Sequence, residues 1–351
     1  MCDQELRNFL GQLDLLSIAG YEFERPLGGG GSSVSAIYRK SDEQVVFKFL
    51  IAPRNDTELE RFKLEYSFLK KSPLNAYGNG KQFFLGPETS YPVPTIKHPL
   101  QINKKGLINY FSYNYEEGEL LSELNWRTFS FDEKVLLLHR IASALSYFSR
   151  SNYDHRDLHP ENILLRQGYD MDTNPEQPDP RVVILDLGNC QVQSTTRWYI
   201  RDDCDEDAVI QDNNRRLLTS FVSMPPDFLV EGKNIQNYDT WAFGIFAYNV
   251  LFDELPFEIK DISDLTKLRI SAYYRSKFAK NIHTLPVSLR KILERILSLE
   301  GKNRPPLWAI VKLLYWVRIE EPKNEHPSGF IEQLLNNDGN DPRHNPIDEC
   351  Y

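Results

Sequence analysis

One stretch limits the folds open to this chain more than any other. It is His155-Arg156-Asp157-Leu158-His159-Pro160-Glu161-Asn162, followed 24 residues past Asn162 by Asp186-Leu187-Gly188. For two acids and an amide at this spacing to act together, the chain between them must fold back on itself. Ile163-Leu164-Leu165 and Val182-Val183-Ile184-Leu185 are short apolar runs that suit strands on either side of a polar excursion. Ahead of them, Phe131 to Ser151 reads as an amphipathic helix, with Val135, Leu138, Ile141, Ala142, Leu145 and Phe148 at helical spacing. In this order of helix, loop, strand, strand and acid, the residues suit phosphoryl transfer. Asp157 can orient a hydroxyl nucleophile, while Asn162 and Asp186 hold Mg²⁺ against the phosphates of ATP. Structural salt bridging is the competing reading of the same acids.

Other segments extend the pattern outward. Upstream, Gly28, Gly29, Gly30 and Gly31 are followed by Ser32 and Ser33. Glycine there lets backbone N–H groups approach a phosphate, although a four-glycine run on its own more often marks a turn or linker. Val45-Val46-Phe47-Lys48-Phe49-Leu50 is an apolar strand broken by a single lysine. Asp56-Thr57-Glu58-Leu59-Glu60 carries a capping-box signature, with Glu60 three positions past Thr57. From there Leu59, Phe62, Tyr66 and Leu69 mark one stripe of a helix, and Glu65 stands 17 residues after Lys48. Glu58 and Glu60 read as solvated helix charges. Downstream lie Met224-Pro225-Pro226-Asp227, Asp239-Thr240-Trp241-Ala242-Phe243-Gly244 and Gly301-Lys302-Asn303-Arg304-Pro305.

With these segments in order from residue 21 to about 318, the chain resembles the protein kinase superfamily. The resemblance implies a bilobal α+β fold, with a small β-rich N-lobe and a larger, mainly helical C-lobe. It assigns ATP to Gly28, Gly29, Gly30, Gly31, Ser32, Ser33 and Lys48, with backbone groups of Asn114 and Tyr115 on the adenine edge and Tyr113 at the back of the pocket. It pairs Lys48 with Glu65, gives Mg²⁺ or Mn²⁺ to Asn162 and Asp186, and makes Asp157 the group that orients the acceptor. It also implies an Asp227–Arg304 ion pair, and a phosphate on the 194–223 segment as the partner of Arg156. Ser194, Thr195, Thr196, Thr219, Ser220 and Ser223 are the candidate acceptors. The acidic cluster Asp202-Asp203-Cys204-Asp205-Glu206-Asp207 offers Arg156 a fixed negative partner instead, against the simpler reading of a solvated loop.

The expected organisation is a helical extension over 1–20, an N-lobe over 21–114, a C-lobe over 115–318 and a polar tail over 319–351. Gly118 is expected to precede a helical pattern. A turn-rich insertion runs from Gln167 to Arg181. A length of 351 residues suits a two-lobed domain. No apolar window is long enough to span a bilayer. The N-terminus lacks a signal-peptide pattern, and the four cysteines show no metal spacing, which points to a cytoplasmic protein. Residues 267–304 hold ten Lys/Arg against two Glu, a local +8 in a chain of net charge −9. Such a face could take an acidic partner, with a solvated surface as the plainer reading. Nucleic-acid binding is not expected, because aromatic and basic residues do not interleave.

The acceptor is the open point. His159 stands where Ser/Thr protein kinases carry lysine, and Asp-Leu-His-Pro-x-Asn also resembles aminoglycoside and choline phosphotransferases. Arg156, the Met224–Asp227 segment, the Asp239–Gly244 motif and Arg304 favour a protein substrate. In that setting His159 is expected near the γ-phosphate. Ser33 in place of a third glycine, together with His159, leaves an ATP-binding pseudokinase scaffold as a further alternative.

Overall fold

A computed structural model describes residues 3–29, 33–53, 55–75, 92–102, 108–150, 153–166, 182–192, 223–229, 237–257, 264, 267, 281–319 and 335. The N-terminal part is built on an antiparallel sheet of β1 (Ser17–Ile18), β2 (Tyr21–Gly29), β3 (Ser33–Lys40), β4 (Glu43–Ile51), β5 (Ile96–Ile102) and β6 (Ile108–Asn114). Their spatial order is β1-β2-β3-β4-β6-β5.

Strand β4 shows why its sequence is almost wholly apolar. Val45, Phe47 and Phe49 lie on one face with Tyr21, Ala36, Tyr38 and Ile108, under Leu6 and Leu10 of helix α1 (Asp3–Gln12). Alternation puts Val46, Lys48 and Leu50 on the other face. There Leu50 joins Phe62, Phe68 and Leu69 of helix α2 (Asp56–Asn75) in the main core. A strand covered on both sides must be apolar on both. Lys48 is the exception.

Helix α2 departs from the sequence reading in two ways. Asn55 caps it, its Oδ1 accepting a hydrogen bond from Glu58 N–H at 3.0 Å, and the helix starts at Asp56, ahead of the expected Thr57–Glu60 box. Glu58, expected in solvent, is 8% exposed. The reason is helical geometry: Glu58, Phe62, Glu65 and Leu69 recur at i, i+4, i+7 and i+11, so both acids share the buried face.

The second lobe is mainly helical. β7 (Gly118–Leu120) pairs with β9 (Ile163–Arg166), which pairs with β10 (Val182–Ile184), and β8 (Tyr153–Asp154) pairs with β11 (Gln191–Val192). The segment after Gly118 is thus a strand rather than the start of a helix. A Cβ at Gly118 would run into the Leu165 carbonyl, so glycine is what lets β7 lie against β9. Helix α3 (Phe131–Arg150) opens on a capping box. Ser130 N–H donates to Glu133 Oε2 at 2.7 Å, and Glu133 N–H to Ser130 Oγ at 3.3 Å. Helices α4 (Tyr238–Phe252), α5 (Val287–Ile296) and α6 (Leu307–Ile319) are its other α-helices among the described residues. α4 is buried around most of its circumference, and Gly244 lets it touch α5, where a Cβ would collide with Ile296 and lie 2.8 Å from Leu297 Cδ2. The result is a bilobal α+β fold. Among the described residues, no helix is long and apolar enough to cross a membrane.

Candidate active site

The ladder fixes Lys48 on both sides, opposite Ser35 of β3 and Phe111 of β6. Its Nζ lies 2.8 Å from both Glu65 carboxylate oxygens and 3.2 Å from Asp186 Oδ1. Lys48 and Glu65 are 7% and 4% exposed. Burial works against the ammonium, but the Asp186 and Glu65 carboxylates outweigh it and hold Lys48 above the ordinary lysine range. Burial raises the Glu65 carboxyl, opposed by Lys48 and by a hydrogen bond from the Leu187 backbone. Glu65 therefore ties α2 to the 3₁₀ turn Leu187–Asn189, which follows Asp186. Asp186 itself adopts φ 51°, a left-handed conformation that aspartate tolerates better than most residues.

The loop carrying Asp157 is shaped from outside. Arg156 has φ 66°, a conformation that persists only when its surroundings enforce it. Asp239, in the first turn of α4, enforces it by accepting hydrogen bonds from His155 N–H at 2.5 Å and Arg156 N–H at 2.9 Å. Burial pushes the Asp239 carboxyl up to about 6, against the pull of those two amides and the Arg156 charge. His155 is fully buried. Its Nε2 lies 3.0 Å from the Leu185 carbonyl, and Asp157 N–H donates to its Nδ1 at 3.3 Å. A ring with one donor and one acceptor engaged is neutral, in keeping with burial lowering its pKa.

Around Asp157 the polar groups converge. Asn189 Nδ2 donates to Asp157 Oδ2 at 2.9 Å. The 3₁₀ turn Pro160–Asn162 returns Asn162 beneath the loop, where Nδ2 donates to the Asp157 carbonyl at 3.0 Å and meets His159 Nε2 at 2.7 Å. His159 Nε2 is 3.9 Å from Asp157 Oδ2. Leu185 N–H bonds the Asn162 carbonyl at 2.8 Å, drawing the end of β10, and with it Asp186, to the loop.

The remaining expected positions divide. Gly28 and Gly29 end β2 opposite Ser35 and Val34, and Ser33 opens β3; Gly30, Gly31 and Ser32 lie outside the described residues. The N–H groups of Asn114 and Tyr115 go to Thr95 O at 2.9 Å and Gln44 O at 3.4 Å. Arg156 stacks its guanidinium 5.1 Å over the Tyr238 ring. The acceptors Ser194, Thr195, Thr196, Thr219 and Ser220, the acidic cluster 202–207 and the insertion 167–181 are outside the described residues. Ser223 is buried and donates to Leu158 O at 3.3 Å. Arg304 meets Asp227 at 2.5 Å and lies 5.2 Å over the Trp241 ring. Arg304, 2% exposed, is therefore no part of a basic surface, and Lys302 and Lys267 have acidic neighbours in Glu300 and Asp264.

Asn162 and Asp186 present hard oxygen donors. Among the described residues no three His, Cys, Asp or Glu gather as a metal cluster. Two protein donors fit a Mg²⁺ that takes its other ligands from phosphate and water. Sequence reasoning missed Asn189 and the structural part played by His155. It quoted Asp239 only as a motif letter.

The protein kinase domain profile matches residues 21–316. Aurora kinase B of Mus musculus is 24% identical over 329 residues, covering 90% of this chain and 78% of the relative. The Aurora kinase of Schizosaccharomyces pombe is 22% identical over 320 residues, covering 87% and 73%. A calcium and calcium/calmodulin-dependent serine/threonine-protein kinase of Medicago truncatula is 25% identical over 198 residues, covering 56% of this chain and 33% of the relative.

Proposed function

The chain belongs to the protein kinase domain family, and on that premise we propose that it transfers the γ-phosphoryl group of ATP to Ser and Thr hydroxyls of protein substrates. The reading rests chiefly on one observation, the bridging of Glu65 and Asp186 by Lys48 from three separate elements. Lys48, held by Glu65, fixes the α- and β-phosphates. Gly28 to Ser33 cover the triphosphate, and the backbone at Asn114 and Tyr115 lines the adenine side. Asn162 and Asp186 hold Mg²⁺, which when bound neutralises charge on the phosphates. Asp157 Oδ2 is engaged by Asn189, so Oδ1 receives the acceptor hydroxyl and takes its proton late in transfer. Residues 21–114 and 115–318 serve as the two lobes, closing over the nucleotide. The Asp227–Arg304 pair supports a protein acceptor over a small alcohol, because it braces the segment on which a peptide would lie.

The test is a Mg²⁺-dependent γ-³²P-ATP assay with myelin basic protein, beside Asp157→Ala and Asp186→Ala. Label on Ser and Thr is expected, falling by roughly 10²-fold or more in Asp157→Ala. ATP turnover stimulated by small alcohols without protein labelling would move the assignment to the small-molecule phosphotransferases. Nucleotide binding without any turnover would make the chain a scaffold.

A further inference from the structure

We propose that His159 is a positioning residue that locks the Asn162 side-chain amide with its oxygen facing the metal side of the site. This rests on the ATP- and metal-dependent reading above. The two ends of an asparagine amide have nearly the same shape, so hydrogen bonds decide which atom meets a cation. Asn162 Nδ2 carries two protons. One goes to the Asp157 carbonyl at 3.0 Å, a group that can only accept. The second points to His159 Nε2 at 2.7 Å. That ring nitrogen therefore acts as an acceptor, with the ring proton on Nδ1, 3.9 Å from Glu161 Oε2.

With both protons engaged, Oδ1 is the atom of the amide left for a cation. Rotating the amide by half a turn would set Oδ1 against the Asp157 carbonyl oxygen, and His159 could meet it only by moving its ring proton from Nδ1 to Nε2. The lock is held from the backbone as well. Asn162 N–H bonds the His159 carbonyl at 2.9 Å. His159 is extended at φ −153° and ψ 162°, and Pro160 after it disfavours any swing into a helical conformation. A lysine at 159 could donate but could not accept, so it could not hold the amide in this way. While Nε2 holds Asn162, it is not free to donate to a phosphate.

The test compares His159→Phe, which keeps a ring without an acceptor, with His159→Gln, which restores an acceptor oxygen. Calorimetry would follow binding of the non-hydrolysable analogue AMP-PNP to the full chain across a Mg²⁺ titration and in EDTA. His159→Phe is expected to need about 10-fold more Mg²⁺ for the same gain in affinity, at the low end of what losing the partner of a metal ligand costs. His159→Gln is expected to stay near wild type, and binding in EDTA to be unchanged in both. In an Asn162→Asp background, where either atom of the group is oxygen, His159→Phe should add nothing.

A wild-type Mg²⁺ requirement in His159→Phe would overturn the proposal. Equal damage in Phe and Gln would do so too, as would weakened binding in EDTA, which would put the ring on a phosphate. Asp186→Ala separates the two levels of inference. If wild type gains no affinity from Mg²⁺ and Asp186→Ala matches it, the nucleotide–metal reading itself falls and the lock with it.

Discussion

Asp157 has one carboxylate oxygen already engaged, because Asn189 Nδ2 donates to Oδ2 at 2.9 Å. A hydrogen bond to a charged group is worth about 1.5–3 kcal/mol, enough to decide, on the proposed reading, which oxygen would face an incoming hydroxyl. Asn189→Ala is expected to lower kcat by about 10-fold while KM for ATP stays within about 2-fold. Asn189→Asp, which faces Asp157 with a like charge, should lose more. Steady-state kinetics against both substrates would show the split, and a rise in KM for ATP without a fall in kcat would refute the assignment. Asn189 follows Asp186-Leu187-Gly188 directly, yet nothing in its identity marked it. Its role exists only because a 3₁₀ turn brings it back to a loop 32 residues earlier. Lys48 was legible for the opposite reason: a lone charge in an apolar strand is an anomaly in one dimension, before any fold is known.

At the scale of elements, the packing of α3 on α6 carries a pH dependence. His139 of α3 lies 6.2 Å from the Tyr315 ring of α6, and burial, with the Arg318 and Arg140 charges, pushes it down to about 4. Protonation then favours the unfolded chain, where the ring titrates near 6.5. Stability from this group is full above pH 6.5 and is lost as pH falls toward 4. The span of 2.5 pH units (6.5 − 4) corresponds to about 3 kcal/mol. Urea unfolding at pH 7 and pH 4.5 should show about 2 kcal/mol of that loss in the wild type and much less in His139→Leu; equal losses would place the titration elsewhere. Elements were readable to the extent that their periodicity was unmixed. The α2 stripe named Phe62 and Leu69 correctly, but it placed Glu58 in solvent because hydropathy cannot tell a buried acid from an exposed one. Gly118 read as a break before a helix, since the β9 backbone that demands a glycine is contributed from residue 165.

Across the whole molecule, the stretch from Ser223 to Leu229 is fastened to the helical lobe by Asp227 and Arg304. Asp227 also accepts from Gly301 N–H at 2.9 Å. Arg304 is buried, and burial lowers its pKa against the pull of Asp227. Removing the carboxylate alone should therefore cost about 3–5 kcal/mol in Asp227→Ala, while Asp227→Ala combined with Arg304→Met should lose less. Chemical denaturation of the two variants decides it, and a double variant no more stable than the single would refute the pairing argument. The two-lobed plan was legible from the order of motifs, each of them short and contiguous. Of the contacts that join motifs, the resemblance implied Lys48–Glu65 and Asp227–Arg304, but not those that shape the loop from outside, which link residues tens of positions apart. Among these is Asp239, which shapes the backbone of His155 and Arg156 from 84 and 83 residues further along. A ribosome adding about 5–20 residues per second makes the loop roughly 4–17 s before it makes the anchor. During that interval the nascent chain carries His155 through Asn162 in full, but without the hold that gives them their shape. The shape of this loop thus arrives late in synthesis, with α4, well after the residues that it arranges.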